Sequence, residues 1–312
     1  MADLLGLGLI QIDPQRGAGW RAGEIRHAAA AAEDAGFEAI FCAEVNNDAL
    51  AAAQLMGEAT NRIKVGSWVA DIYLRLPYIC AKTAMLAADA TDGRFILGLG
   101  VSHQPVNRAL GIEMPDPAGA LRKYAIEVAS WLRGEGPATH LPQQPSHYPV
   151  PIYLAALTSQ NVELAGEIAD GVMPLWWSAE RVARSKRWVD RGRAKSGRGK
   201  PEMTLGLPTY VGDDIGALRE AARANLAIFT TLPFFQRLMR ASGFADEAHQ
   251  AEQGAAGASL SDRLLDAICL IGPAARCRER IAQYRDAGLD LPILWPGLGI
   301  NSAREVIAAF RQ

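Results

Sequence analysis

The sequence predicts a closed (β/α)₈ barrel, a TIM barrel of the α/β class, with a helical insertion between its seventh and eighth strands. Three observations lead there. Eight short apolar runs recur along the chain, and several are continuously apolar rather than alternating, as strands covered on both faces are. Helical patterns separate them, and eight strands alternating with helices close naturally into a barrel. Four helix-to-strand junctions carry a glycine just past the helix, at Gly36, Gly93, Gly171 and Gly288. A left-handed residue there closes a helix and turns the chain into the next strand. An open doubly wound sheet is the competing arrangement.

The predicted strands cover residues 4–12, 38–43, 62–70, 94–101, 151–156, 171–176, 203–211 and 291–296. Helical patterns occupy 22–35, 48–59, 78–90, 119–133, 159–169 and 179–194. The rhythm breaks once, over 212–290, where one helix would suffice to connect two strands. That segment reads as helices over 215–228, the stretch "LPFFQRLMRASGF", 258–270 and 274–287. It is either an outer wall or dimer surface, or a lid over the barrel mouth with Phe234 and Phe235 facing the substrate. The chain is therefore expected to be one barrel domain over 1–312, with 212–290 as its insertion. The basic run "RGRAKSGRGK" at 191–200 is most simply a solvated helix end.

Composition narrows the function classes. The 312 residues are 49% apolar and 21% charged, and the net charge of −2 lacks the basic footprint of a nucleic-acid binder. A small-molecule partner and a homodimer are expected. Cys42, Cys80, Cys269 and Cys277 form no C-x-x-C pair and read as reduced, structural thiols. The start of the chain is acidic at Asp3 and lacks the basic region of a signal peptide, and there is no apolar run of membrane-spanning length. A cytoplasmic protein is the expectation.

The stretch "ILGLGVSHQP" at 96–105 poses the main functional question. A dinucleotide loop needs a third glycine where His103 stands, and a helix opening there. Pro105 follows, and the next clear helical pattern begins only at about Pro117. The stretch is instead a strand end at the catalytic rim. Barrel chemistry sits beyond the C-terminal ends of the strands. That rule selects Gln11 and Asp13, Glu44 and Asn46, Trp68 to Asp71, Ser102 and His103, Leu157 to Ser159, Trp176 to Ser178, and Trp295. No His and carboxylate spacing suits a metal, and no G-x-S-x-G elbow suits nucleophilic hydrolysis. A rim so poor in ionisable groups and rich in aromatics suits a flat cofactor that carries the chemistry itself. "AALTSQN" opens a helix at about Ser159, whose free N–H groups either hold a cofactor phosphate or are simply capped by a hydroxyl.

At these residues the sequence resembles the bacterial-luciferase-like oxidoreductases, specifically their coenzyme F420 (deazaflavin) branch. "GFEAIFCAE", "RIKVGSWVADIYLRLPYICAKTAMLAADATDGRFILGLGVSH" and "PVPIYLAALTSQNVELAGEIADGVMPLWW" carry the likeness, which covers nearly the whole chain. The resemblance implies F420 in the barrel mouth, exchanging a hydride with a small organic substrate at a C=C, C=N or C=O bond. The alternatives are an FMN-dependent monooxygenase and a flavin- or deazaflavin-binding protein without turnover. It further implies a bulge with a non-prolyl cis peptide near Trp68–Val69, backing the cofactor ring. Val101, Ser102 and His103 would line the cofactor, and Ala156, Leu157, Thr158, Leu175 and Trp176 would hold its phosphate arm. Asn46, Phe234 and Phe235 are the candidate substrate contacts. The chain departs from the pattern in one place: some members carry Asp-His after strand two, where this chain reads Glu44-Val45. Glu44, kept protonated in an apolar mouth, and His103 are therefore the candidate catalytic acids; the alternatives are that Glu44 only caps or pairs at the rim and that His103 only orients the cofactor ring. His27, His140, His147 and His249 read as surface residues.

Overall fold

A computed structural model describes residues 4–136 and 144–312. Strands β1 (Gly6–Leu9), β2 (Ala39–Cys42), β3 (Lys64–Ser67), β4 (Phe95–Gly100), β5 (Ile152–Ala155), β6 (Gly171–Met173), β7 (Glu202–Val211) and β8 (Leu291–Pro296) pair in parallel, each with the next. β8 then pairs with β1, so the sheet closes. This is the expected barrel and not the open sheet. Helices Ala22–Asp34, Ala49–Glu58, Pro77–Ala90, Pro117–Leu132, Ser159–Ile168 and Ala179–Ser196 form the outer layer. The first three present small residues to the barrel, such as Ala28, Ala29, Ala32, Ala53, Ala81 and Ala84, all nearly inaccessible. Small side chains let helix and sheet approach closely, which explains the alanine-rich patterns. Among the described residues no helix is long and apolar enough to cross a membrane, and all four cysteines are buried and free.

Several expected elements end early, for identifiable reasons. The first predicted strand stops at Leu9, where the Ile12 N–H turns back to the Ile10 carbonyl. Ile12–Asp13 then pairs antiparallel with Ala18–Gly19 instead. The third strand is broken by a cis peptide at Trp68–Val69, where the resemblance puts one, and its tail Ala70–Asp71 pairs with the end of β4. A short helix, Gln104–Ala109, follows β4 directly, with His103 as its N-cap residue and Pro105 in its first turn. A proline is tolerated in that turn, so the expectation of no helix before Pro117 is corrected. Gly36, Gly93 and Gly288 have the positive φ expected past a helix, whereas Gly171 is a strand residue. A Cβ at Gly171 would lie 2.4 Å from the Tyr153 ring, so close packing explains that glycine.

Between β7 and β8 run helices Ile215–Thr230, Pro233–Ala241 and Ala245–Glu252, a 3₁₀ turn at Ala256–Ser259, and helices Asp262–Ile268 and Ala274–Asp286. The helix expected over 258–270 is thus divided. Ser261 caps Asp262–Ile268 by accepting the Leu264 N–H at 3.1 Å. The chain then turns extended, and Leu270–Gly272 pairs with Thr209–Val211 at the far end of β7. β7 is ten residues long and outruns its barrel neighbours, and this strand covers the edge it leaves open.

The two glycines of "ILGLG" are explained by the broken strand beside them. A Cβ at Gly98 would lie 2.1 Å from the Ser67 carbonyl oxygen, and one at Gly100 2.3 Å from Val69 Cγ2. Ser67 Oγ also donates to the Gly98 carbonyl at 2.8 Å and accepts its N–H at 3.0 Å. Gly98→Ala is therefore expected to destabilise the fold by about 1–3 kcal/mol, read from urea unfolding. An unchanged midpoint would mean that β3 and β4 are not so close.

Candidate active site

The C-terminal ends of the strands converge on a chain of touching aromatic rings. The Trp68 indole, beyond β3, lies against Gly8 and Gly206 inside the barrel and meets Trp295 of β8 edge-on at 5.7 Å. Trp295 meets Phe229 at 5.4 Å, and Phe229 meets Phe235 at 5.1 Å and Trp176 at 5.8 Å. Phe235 touches Trp176 at 4.8 Å and His103 at 5.7 Å. Phe229 and Phe235 come from the segment between β7 and β8. The remaining members stand at the ends of β3, β4, β6 and β8, so the cluster lies across the mouth. Edge-to-face contacts at these distances are the favoured geometry of aromatic pairs.

His103 is half-buried, and neither ring nitrogen has a hydrogen-bond partner among the described residues. Burial holds its pKa below the ordinary 6.5. Ser102, just before it, has a left-handed backbone with φ of 56°. The Asp71 carboxyl, which is 4% exposed, lies close to the Ser102 and Asn107 side chains. Burial, and then the neighbouring Glu44 charge, raise the Asp71 pKa even though the Tyr73 N–H donates to it at 3.0 Å.

Glu44 is not in the apolar surroundings expected for it. Arg75 grips its carboxylate with both terminal nitrogens, one at 2.7 Å, and also holds Asp48 at 3.0 Å. The Asp71 N–H donates to Glu44 at 2.6 Å and the Ala49 N–H at 3.4 Å. Every contact is a donor, so Glu44 serves here as an anchor that ties the end of β2 to the chain after β3. Arg75 is the residue missed in the sequence reading. Its partner lies 31 positions away, and an arginine inside "IYLRLP" carries no local sign of that pairing.

Three groups bear on what the mouth holds. The Gln11 side chain, 1% exposed, has no partner for either amide atom among the described residues, and neither does Trp176 Nε1. Buried polar groups are normally satisfied, so such atoms are suited to a bound polar ligand. Arg181 is buried, stacked between Trp177 at 5.1 Å and Trp188 at 5.5 Å, and has no carboxylate partner among the described residues. It donates to the carbonyls of Leu157 at 3.0 Å and Ala241 at 3.2 Å, its Nε is unpartnered, and burial pulls its pKa down to about 10. A flat ring with a polar edge and an anionic arm fits this donor set.

The other residues selected from sequence fall out as follows. Val69 packs over Gly100, and the Val101 carbonyl accepts from Asn107 at 3.2 Å. Ala156 is fully buried, and Thr158 caps Ser159–Ile168 by accepting the Asn161 N–H at 3.2 Å. Leu175 bridges to Gly206, and Trp176 has a left-handed backbone with φ of 55°. Phe235 is fully buried in the cluster, whereas Phe234 is half-buried and touches only Phe235 and Arg237 among ring contacts. Asn46 is exposed. His147 lies near Asp89 on the surface, and His140 lies outside the described residues. No cluster of metal-binding side chains occurs among the described residues.

The chain is thus a parallel (β/α)₈ barrel whose mouth is aromatic and contains unpartnered buried amide and indole groups, the end of such a barrel where ligands are bound. The model of the luciferase-like monooxygenase family matches residues 5–291, and the chain belongs to that family. A putative coenzyme F420-dependent oxidoreductase of Mycobacterium tuberculosis is 28% identical over 86% of this chain and 89% of its own length. The coenzyme F420-dependent tetrahydromethanopterin reductase of Methanopyrus kandleri superposes with a TM-score of 0.80 over 98% of this chain and 97% of its own, at 18% identity. A type II Baeyer–Villiger monooxygenase of Pseudomonas putida, in complex with FMN, superposes with a TM-score of 0.73 over 100% of this chain and 96% of its own, at 14% identity.

The Glu44–Arg75 pair is largely buried, at 7% and 11% side-chain exposure. Removing one partner leaves a buried charge unmatched, so Arg75→Met is expected to cost on the order of 3 kcal/mol in chemical denaturation. Adding Glu44→Leu to it should recover most of that loss. Additive losses would show that the two side chains do not depend on each other.

Proposed function

We propose that this protein is an F420-dependent oxidoreductase that exchanges a hydride with a small organic substrate at a C=C, C=N or C=O bond. The observation that carries the reading is the mouth: aromatic walls, an unpartnered buried amide at Gln11, and no cluster of metal-binding side chains among the described residues. Such a site positions a reactive group supplied by a cofactor. The name of the mycobacterial relative supports F420 as that cofactor. A second reading, an FMN-dependent monooxygenase, is favoured by the family's description and by the FMN-bound neighbour.

When bound, F420 supplies a two-electron hydride donor or acceptor. The chain's own residues do the rest. Trp68 and Val69 would back the ring, Gln11 and Trp176 Nε1 would hydrogen-bond its polar edge, and Arg181 with the Leu157–Ser159 turn would balance the anionic arm. Phe229 and Phe235 keep water from the reacting atoms. His103 is the proton donor, because its ring nitrogens are free of protein partners and it follows directly on the strand end that lines the mouth. Glu44 holds the rim in place and takes no part in proton transfer.

Fluorescence titration with F420 and with FMN tests the cofactor. Tighter F420 binding is expected; tighter FMN binding with oxygen uptake on reduction would establish the monooxygenase reading instead.

For the proton, His103→Gln is expected to lower single-turnover reduction by roughly 10²–10⁴-fold while leaving cofactor affinity little changed. Because burial lowers the His103 pKa below 6.5, the protonated form accumulates only under more acidic conditions. The rate of substrate reduction should therefore rise as pH falls through that lowered pKa, and this limb should vanish in the variant. The same shift means that neutral His103 favours the folded state. That contribution is fully present above pH 6.5 and is lost as pH falls through the folded pKa. A pH-independent rate would assign the proton to solvent or substrate.

A further inference from the structure

The groups given to the cofactor ring are shut in. Gln11 is 1% exposed and Trp176 2%, and Phe235 is fully buried against Trp176 and His103. A planar cofactor cannot reach side chains so covered unless part of the cover moves. The strands of the closed barrel are held by pairing on both sides, whereas Phe235 is carried by helix Pro233–Ala241, outside them. That helix has the attachments of a movable unit. It turns Phe235, Leu238 and Met239, all nearly inaccessible, inward. It ends at Ser242, just before Gly243, whose φ of 90° lets the chain reverse there. Its ion pair to the neighbouring helix, Arg240 with Glu252, is exposed, and such pairs contribute little. Gln236 donates to the Thr230 carbonyl at 2.9 Å, close to where the helix begins. Its tie to the barrel's outer layer is buried. Arg181, on helix Ala179–Ser196, donates from one terminal nitrogen to the Ala241 carbonyl at 3.2 Å and from the other to the Leu157 carbonyl at 3.0 Å. Stacking between Trp177 and Trp188 fixes the guanidinium, and its unpartnered Nε–H is left for the anionic arm.

Resting on the reading of this mouth as the cofactor's seat, we propose that helix Pro233–Ala241 is a gate, with Phe235 as its plug and Arg181 as its latch. The gate swings out about Leu232 and Gly243 to admit the cofactor. It closes as Arg181 regains the Ala241 carbonyl, which returns Phe235 over the mouth. Arg181 is therefore a positioning residue for Phe235 as well as a partner for the arm.

The Trp176 indole N–H reads the gate directly. It is buried yet has no hydrogen-bond partner among the described residues, so it exchanges with solvent whenever the cover opens. Trp131 Nε1, equally buried and unpartnered on helix Pro117–Leu132, is the control. Exchange of both indole protons is followed by ¹H–¹⁵N NMR in the full-length protein over a series of sub-denaturing urea concentrations. Trp176→Phe and Trp131→Phe assign the two resonances. Trp176 is expected to exchange at least tenfold faster than global unfolding allows, with little urea dependence, because a local opening exposes little surface. Arg181→Met, which removes the latch and keeps an apolar stem, should speed that exchange about tenfold and leave Trp131 unchanged. Arg181→Lys keeps the charge but cannot fork between two carbonyls, and should speed it several-fold. Trp176 exchange that tracks global unfolding, Arg181 variants that leave it unchanged, or variants that speed Trp131 equally would each overturn the proposal. If Arg181→Met does not fold, Arg181→Lys and the urea series decide by the same criteria. Binding of F420 is measured separately. Gated exchange in a protein that does not bind F420 would refute the cofactor reading and leave the gate standing. F420 binding with Trp176 exchange only through global unfolding would overturn the gate alone.

Discussion

The mouth of this barrel is organised by one close crossing: residues 67–69, at the broken end of β3, lie directly against Gly98 and Gly100 of β4. No side chain fits between the two strands there, so the Trp68 indole lies inside the barrel against Gly8 and Gly206, with Trp295 at its edge. The chain then resumes pairing with β4 one step later, as Ala70–Asp71. That shift brings the Asp71 carboxyl to Ser102 and Asn107, and its N–H to Glu44. Ser102 and His103 thus inherit their place from a packing constraint several residues upstream.

Electrostatics in the mouth follow from how each charged group is matched. Glu44 and Arg75 satisfy each other in a largely buried pair, in which removing either costs more than the pair contributes. Asp71, with no cation of its own, is pushed toward its neutral form by burial, and His103 is pushed toward its neutral form by the same cause. The outcome is a rim with little free charge beside His103. Arg181 is the exception, a stacked cation beside the β5 loop that has no carboxylate among the described residues. Cation–π contacts with Trp177 and Trp188 make its burial tolerable without neutralising it.

Much of the fold was legible because its signals are local. Continuous apolar runs marked strands covered on both faces, and glycines at Gly36, Gly93 and Gly288 marked helix ends through a backbone conformation that only glycine adopts easily. The strand-end rule then drew Trp68, His103, Trp176 and Trp295 into one list before any contact between them was known. The division of 258–270 into a capped helix and a strand was not legible, because the strand exists only to pair with the overhanging end of β7. The helix after His103 was missed because Pro105 was read as a breaker, though it stands in a first turn where its missing N–H is harmless.

The sequence by itself determined the closed barrel, the rim residues and the poverty of that rim in ionisable groups, since all three rest on residue type and short-range spacing. The tertiary structure alone decided what the rim residues do to one another. Glu44 read as either a candidate acid or a carboxyl paired at the rim, and its partner Arg75, 31 positions on, is visible only in the fold. Phe229 carried no sign of the mouth until it met Trp295 and Trp176, and the sequence placed Phe235 over the mouth without showing its contacts with Trp176 and His103. Burial and ion pairing depend on neighbours distant along the chain, and no periodicity in the sequence records which neighbours those are.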